Sequence, residues 1–154
     1  RRGRPRAGTI WHRVPAIAPR PAEEPMANQF VVQLKNEPGA MAILAEALAA
    51  RNVDLRAIGG GGIGGAGHVI MTTADDDATR RVLDEGDYVY VEGESILTEV
   101  DDRPGGMARL SRALADAGVN IYGHLFLGRW GDRAMFAFVV DQPEVARPIL
   151  ERKA

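Results

Sequence analysis

The chain has 154 residues, 45% of them hydrophobic, a formal net charge of -2 and no cysteine. That length makes one ordinary domain or two very small ones, and it buries a real core only if its parts pack together. The lack of cysteine excludes disulfide staples, thiolate zinc sites and a catalytic thiol, so stability must come from packing.

The charge is unevenly spread. Residues 1–25, RRGRPRAGTIWHRVPAIAPRPAEEP, carry six arginines against two glutamates, so the remainder is net acidic. Phosphate contacts need clustered Lys and Arg, which argues against a nucleic-acid surface on the folded part. The same 25 residues hold five prolines and no apolar run long enough for a signal-peptide core or a membrane span, and they read as a disordered tail. Met26 follows at once and opens a regular strand pattern. The tail therefore reads as sequence upstream of the natural start or added to it, with a basic nucleic-acid arm or a transit peptide as the other readings.

After the tail, Phe30–Leu34 (FVVQL) alternates apolar and polar residues and predicts a half-buried strand. The turn Asn36-Glu37-Pro38-Gly39 leads into apolar residues at helical spacing, Met41, Leu44, Ala45 and Leu48, with Glu46 and Arg51 on the other face. Residues 53–58 (VDLRAI) resume strand character. The run GGGGIGGAG, residues 59–67, then enters His68–Thr73 as a hairpin, its glycines reading as a flexible loop or ligand lid. A phosphate-binding loop needs a following Lys-Ser/Thr and a dinucleotide fingerprint needs a helix right after it, whereas here a strand follows. Asp75, Asp76 and Asp77 offer caps for a helix bearing Ala78, Val82 and Leu83, and Tyr88–Glu92 predicts a last strand.

The same order then returns. A strand is expected over Ser95–Val100 and a turn at Asp102-Arg103-Pro104-Gly105. A helix carries Met107, Leu110 and Leu114, Gly118 is a natural left-handed cap, and a strand opens at Val119. A hairpin through His124–Leu127, residues 128–132 and Ala134–Val140 precedes a helix from Pro143, which Pro148 leaves kinked or short. No final strand follows. Pro38-Gly39 and Pro104-Gly105 stand 66 positions apart, and at that offset Met41 matches Met107, Leu44 matches Leu110, Leu48 matches Leu114 and Val53 matches Val119. Ungapped agreement over a whole helix is a repeat. Its copies span 28–93 and 94–152, and the expected class is α+β: two ferredoxin-like βαββαβ units with antiparallel sheets, the second lacking its last strand.

Pro-Gly between a first strand and an amphipathic helix, then Val-(Asn/Asp)-Ile/Leu opening the second strand, resembles the ACT domain, and residues 28–150 resemble a tandem pair. The resemblance implies a regulatory module that binds an amino acid or related metabolite and pairs with other ACT units through its sheets. A helix start has unpartnered N–H groups and a partial positive charge, which suits a carboxylate, and Gly39, Ala40, Gly105 and Gly106 lie there. The ammonium of an amino acid needs oxygen acceptors. In serine-binding relatives two Asn side chains hold the ligand, and the matching places here are Asn36 and Asp54 in the first copy, Asp102 and Asn120 in the second. A histidine that also serves in those relatives is replaced by Leu34 and Val100, so the expectation is that the ligand differs or that neither copy binds serine. Each of the four polar residues also suits an ordinary cap or turn.

Other chemistry is weakly signalled. His68 and His124 lack metal-spaced partners, and Asp75–Asp77 suit capping better than a cation. Ser95 and Ser111, the only serines, sit in no nucleophile elbow. Trp130, Phe126, Phe136 and Phe138 suit a core or an interface. The reading is a non-catalytic, cytoplasmic sensor without cofactor or metal, a homodimer acting on a partner enzyme, with no nucleic-acid or membrane role. A ligand-free interaction module is the alternative.

Overall fold

The computed structural model describes residues 28–151, so the expectations for the basic tail lie outside the described residues. Strand β1 (Asn28–Lys35), helix α1 (Ala40–Ala50), strands β2 (Leu55–Ile63) and β3 (Ala66–Thr73), helix α2 (Asp76–Glu85) and strand β4 (Tyr90–Glu94) form the first unit. The second unit consists of β5 (Ile96–Asp101), α3 (Gly106–Asp116), β6 (Ile121–Trp130), β7 (Arg133–Val140) and α4 (Pro143–Leu150). All pairings are antiparallel, in the orders β2-β3-β1-β4 and β5-β7-β6. This is the α+β arrangement expected, and among the described residues the second sheet has three strands.

The helix ends explain why the chain turns where it does. Asn52 and Gly118 take φ values of 56° and 74°, a left-handed step that stops each helix. Val53 N–H then reaches back to Leu48 O and Val119 N–H to Leu114 O, both at 3.0 Å. Leu48, Val53, Leu114 and Val119 are all buried, so each cap also closes an apolar contact, as such motifs do. Asp87, at φ 52°, repeats the device after α2, with Tyr88 N–H on Leu83 O at 2.9 Å. At the other end of α2, Asp75 is the N-cap and its Oδ1 accepts from Ala78 N–H at 2.8 Å.

Each sheet buries one face under its helices. Phe30, Val32, Val69 and Met71 meet Leu44 and Leu48 of α1 and Val82 and Leu83 of α2. In the second unit Ile96, Phe138 and Val140 meet Leu114 of α3 and Ala146 and Leu150 of α4. Pro148 lies inside α4, which runs only eight residues.

The opposite faces stack on each other. A Cβ added at Gly123 would lie 3.0 Å from both Val31 Cγ2 and Ile70 Cδ1, and one at Gly59 would lie 3.1 Å from Leu125 Cδ2. Two residues of β6 thus reach β1 and β3, then β2, so β6 runs across the strands of the first sheet. Glycine suits these places because the side chains of Val31, Ile70 and Leu125 occupy the space that a Cβ would take. Gln29, on the same face as Val31, is fully buried with neither amide atom hydrogen-bonded.

Candidate functional site

The turn after β1 is built from its glycine outward. Gly39 is the N-cap of α1 at φ 92°, and Gly105 is the N-cap of α3 at φ 91°. Neither helix has a side-chain cap or an acidic residue in its first turn. The positive end of each dipole is therefore not neutralised by its own sequence. Ala40 lies beside Gly39 as the first residue of α1. Gly106 is different: it is buried, and a Cβ there would sit 2.2 Å from Asp101 O. It serves close packing rather than ligand access.

Beside the first turn lies a groove of about 470 Å³, lined by Leu34–Glu37, Ala40, Met41, Ile58–Gly62 and Gly67–Val69. The register explains it. Leu34 pairs with Gly67 and Gly67 with Gly62, while Val32 pairs with Val69 and Val69 with Gly60. Paired residues share a face, so Ile58, Gly60 and Gly62 all point toward the side covered by α1. Two of these three positions have no side chain; a Cβ at Gly60 would lie 2.3 Å from His68 O, so that glycine also lets β2 approach β3 closely. The glycine run is thus not a flexible loop, as its composition suggested. Residues 59–63 belong to β2, and the turn is confined to Gly64 and Gly65. A second groove of about 480 Å³ flanks α1 on its other side and shares Leu34, Lys35, Glu37 and Ala40.

Asn36 closes the end of the groove. Its Nδ2 donates to Gly64 O at 2.8 Å, and its backbone N–H donates to Gly65 O at 3.1 Å. A Cβ at Gly62 would meet its side chain at 2.6 Å. Lys35 and Glu37 are exposed on either side of it and carry no ion pair among the described residues.

The second unit handles the same place otherwise. Val100 pairs with Ala134 and Ala134 with Arg129, while Thr98 pairs with Phe136 and Phe136 with Phe126. Arg129 and Phe126 therefore stand where Gly62 and Gly60 stand in the first unit. Asp102, the counterpart of Asn36, accepts from Arg129 Nε at 2.6 Å. The Arg129 guanidinium lies 5.0 Å from the Phe126 ring centre.

No family model matches the chain, and no curated protein matches its sequence. Solved structures do match it. Protein BT0572 from Bacteroides thetaiotaomicron superposes with a TM-score of 0.60 at 19% identity, covering 82% of this chain and 87% of that one. The regulatory subunit of aspartate kinase from Thermus flavus gives 0.55 at 17% identity, over 82% and 92%. The ligand-free subunit from Thermus thermophilus gives 0.50 at 20% identity, over 83% and 93%. The fold is that of tandem ACT units. At these identities the likeness is one of fold.

Within the ACT pair the eight residues expected at a site divide into three groups. Asn36, Gly39 and Ala40 gather at the start of α1, and Asp102, Gly105 and Gly106 at the start of α3. Asp54 and Asn120 follow the far ends of those helices, each 11 residues long, about 16 Å away at 1.5 Å per residue. Their recorded bonds are structural: Asp54 O accepts from Ala74 N–H at 2.9 Å, and Asn120 N–H donates to Asp141 Oδ1 at 2.8 Å. The main contacts between the two units run from β2, β3 and β4 to β6 and β7.

Sequence reasoning missed Met41 and Ile58 as groove residues and read the glycines of β2 as a flexible loop or ligand lid rather than as strand. The available signal was the match of Gly60 to Phe126 at the 66-residue offset, which sets an absent side chain against a large one. Among the described residues no three His, Asp or Glu side chains gather in a way that could hold a metal ion. Among them, too, no helix is long and apolar enough to cross a membrane.

Proposed function

We propose that this chain is a regulatory, non-catalytic ACT-repeat protein that binds an amino acid or related small metabolite beside its Pro-Gly turns, and so alters contacts within a homodimer or with a partner enzyme. The observation that carries this reading is the open groove at the uncapped start of α1, rimmed by Lys35, Asn36 and Glu37. A carboxylate is favoured at the helix end and beside the Lys35 ammonium, and an ammonium beside the Glu37 carboxylate. The solved regulatory subunits of aspartate kinase that share the fold support a regulatory role.

A ligand-free interaction module is the second reading. It is favoured by α1, whose only charged residue is Glu46 and whose Met41 and Ile43 are exposed. An all-apolar helix normally has both sides covered.

Thermal unfolding with each of the twenty amino acids at millimolar concentration separates the two. A ligand at about 100 times its Kd adds roughly 2.7 kcal/mol, a shift of several degrees for a chain of this size. A selective rise supports the sensor; no rise with any amino acid favours the interaction module.

A further inference from the structure

Resting on that sensor reading, we infer that only the first unit takes the ligand, one molecule per chain, and that the ligand is an amino acid with an apolar side chain about the size of leucine or methionine. The second unit sets the half-exposed Phe126 ring and the Arg129 side chain where the first unit has its groove.

The asymmetry lies in two positions. At the level of Val32 and Thr98, the strand across the groove supplies Gly60 in one unit and Phe126 in the other. One level on, it supplies Gly62 against Arg129. The Phe126 ring packs on Phe136, with centres 5.4 Å apart, and Arg129 lies over that ring while its Nε reaches Asp102. The apolar body and the cation that a bound amino acid would bring are thus already in place in the second unit. The first unit offers the same acceptor end and leaves the body out.

The walls of the open groove select by polarity. Leu34, Met41, Ile58 and Val69 supply apolar side chains, the β2 glycines supply backbone, and Asn36 and His68 are the uncharged polar side chains of the lining. The charged groups Lys35 and Glu37 stay at the rim, where they suit the ammonium and carboxylate common to every amino acid. Met41 and Ile58 are 38% and 45% exposed, so an apolar ligand side chain between them would remove apolar surface from water. A serine or aspartate side chain there would bury less apolar surface and gain correspondingly less from leaving water.

The test is titration calorimetry of the full chain with L-leucine, L-methionine and L-serine. Met41→Glu, Ile58→Lys and Phe126→Ala are compared with wild type, and unfolding midpoints show that each variant is folded. The expected result is one equivalent of leucine or methionine per chain, weakened at least about tenfold, or 1.4 kcal/mol, by Met41→Glu and by Ile58→Lys. Met41→Leu and Phe126→Ala should keep the binding. Serine binding in preference to leucine overturns the apolar class and leaves the sensor standing. Two equivalents per chain, or an Asp102→Ala variant as weak as Met41→Glu, overturns the single site. Silence from all twenty amino acids overturns the sensor reading itself, and this inference with it.

Discussion

Arg129 donates from Nε to Asp102 Oδ2 at 2.6 Å, in the place where the first unit has Asn36 bonded to the carbonyl of Gly64. One repeat ties its Pro-Gly turn to the neighbouring hairpin by an ion pair, the other by a neutral amide. The Arg129 side chain is 62% exposed and that of Asp102 33%, so water screens the pair. A double-mutant cycle with Arg129→Ala and Asp102→Ala should give a coupling of about 0.2–1 kcal/mol, shrinking as salt is raised. A coupling that ignores salt would contradict this account.

The contact between the two sheets depends on Gly123. With Val31 Cγ2 and Ile70 Cδ1 both 3.0 Å from where a Cβ would stand, Gly123→Val has to force the sheets apart. Urea unfolding should show a loss of about 1–3 kcal/mol, the usual cost of overpacking. Gly65→Ala is the control, since nothing lies within 4 Å of its added Cβ, and it should stay within about 0.5 kcal/mol of wild type.

Gln29 is buried with both amide atoms unpartnered. A buried polar group left unpaired costs about 1–3 kcal/mol, and replacing it with an apolar group of similar shape removes that cost. Gln29→Leu should therefore raise the urea midpoint, corresponding to a gain in unfolding free energy of about 1 kcal/mol or more. A fall in stability would mean that the amide is satisfied in solution.

Tyr90 has its phenol pKa raised above the ordinary 10.0, first by burial and then by its hydrogen bond to Asp84, 3.0 Å away. Burial disfavours the phenolate, and the Asp84 carboxylate accepts only from the protonated hydroxyl. The folded state therefore holds this proton more tightly than the unfolded chain. Its contribution is fully present below pH 10 and is lost as pH rises through the folded pKa. Urea midpoints measured from pH 8 upward should fall above about pH 10, and should fall less steeply in Tyr90→Phe. Equal slopes would remove Tyr90 as the cause.

The sequence by itself determined the elements and their order. Leucines at helical spacing, a left-handed cap at Gly118 and an Asp before α2 act over a few residues, and the 66-residue offset repeats them. The ACT resemblance rested on those same local signals, and the structural neighbours agree with it. That Asn36, Gly39 and Ala40 stand at the start of α1 was legible for the same reason, since a Pro-Gly turn before a helix announces an exposed helix start.

Only the tertiary structure decided what the glycines of β2 are for. Glycine has no strand propensity to read, and Gly60 and Gly62 are held in the sheet by pairing with Val69 and Gly67, residues that a local pattern does not connect. The same holds for Phe126 and Arg129, which reach the place of Gly60 and Gly62 only once the register sets them opposite Phe136 and Ala134. Which face of each sheet meets the other, and the separation of Asp54 and Asn120 from the Pro-Gly turns, likewise follow from long-range pairing. Local chemistry sets the elements of a repeat, and register sets which side chains share a space.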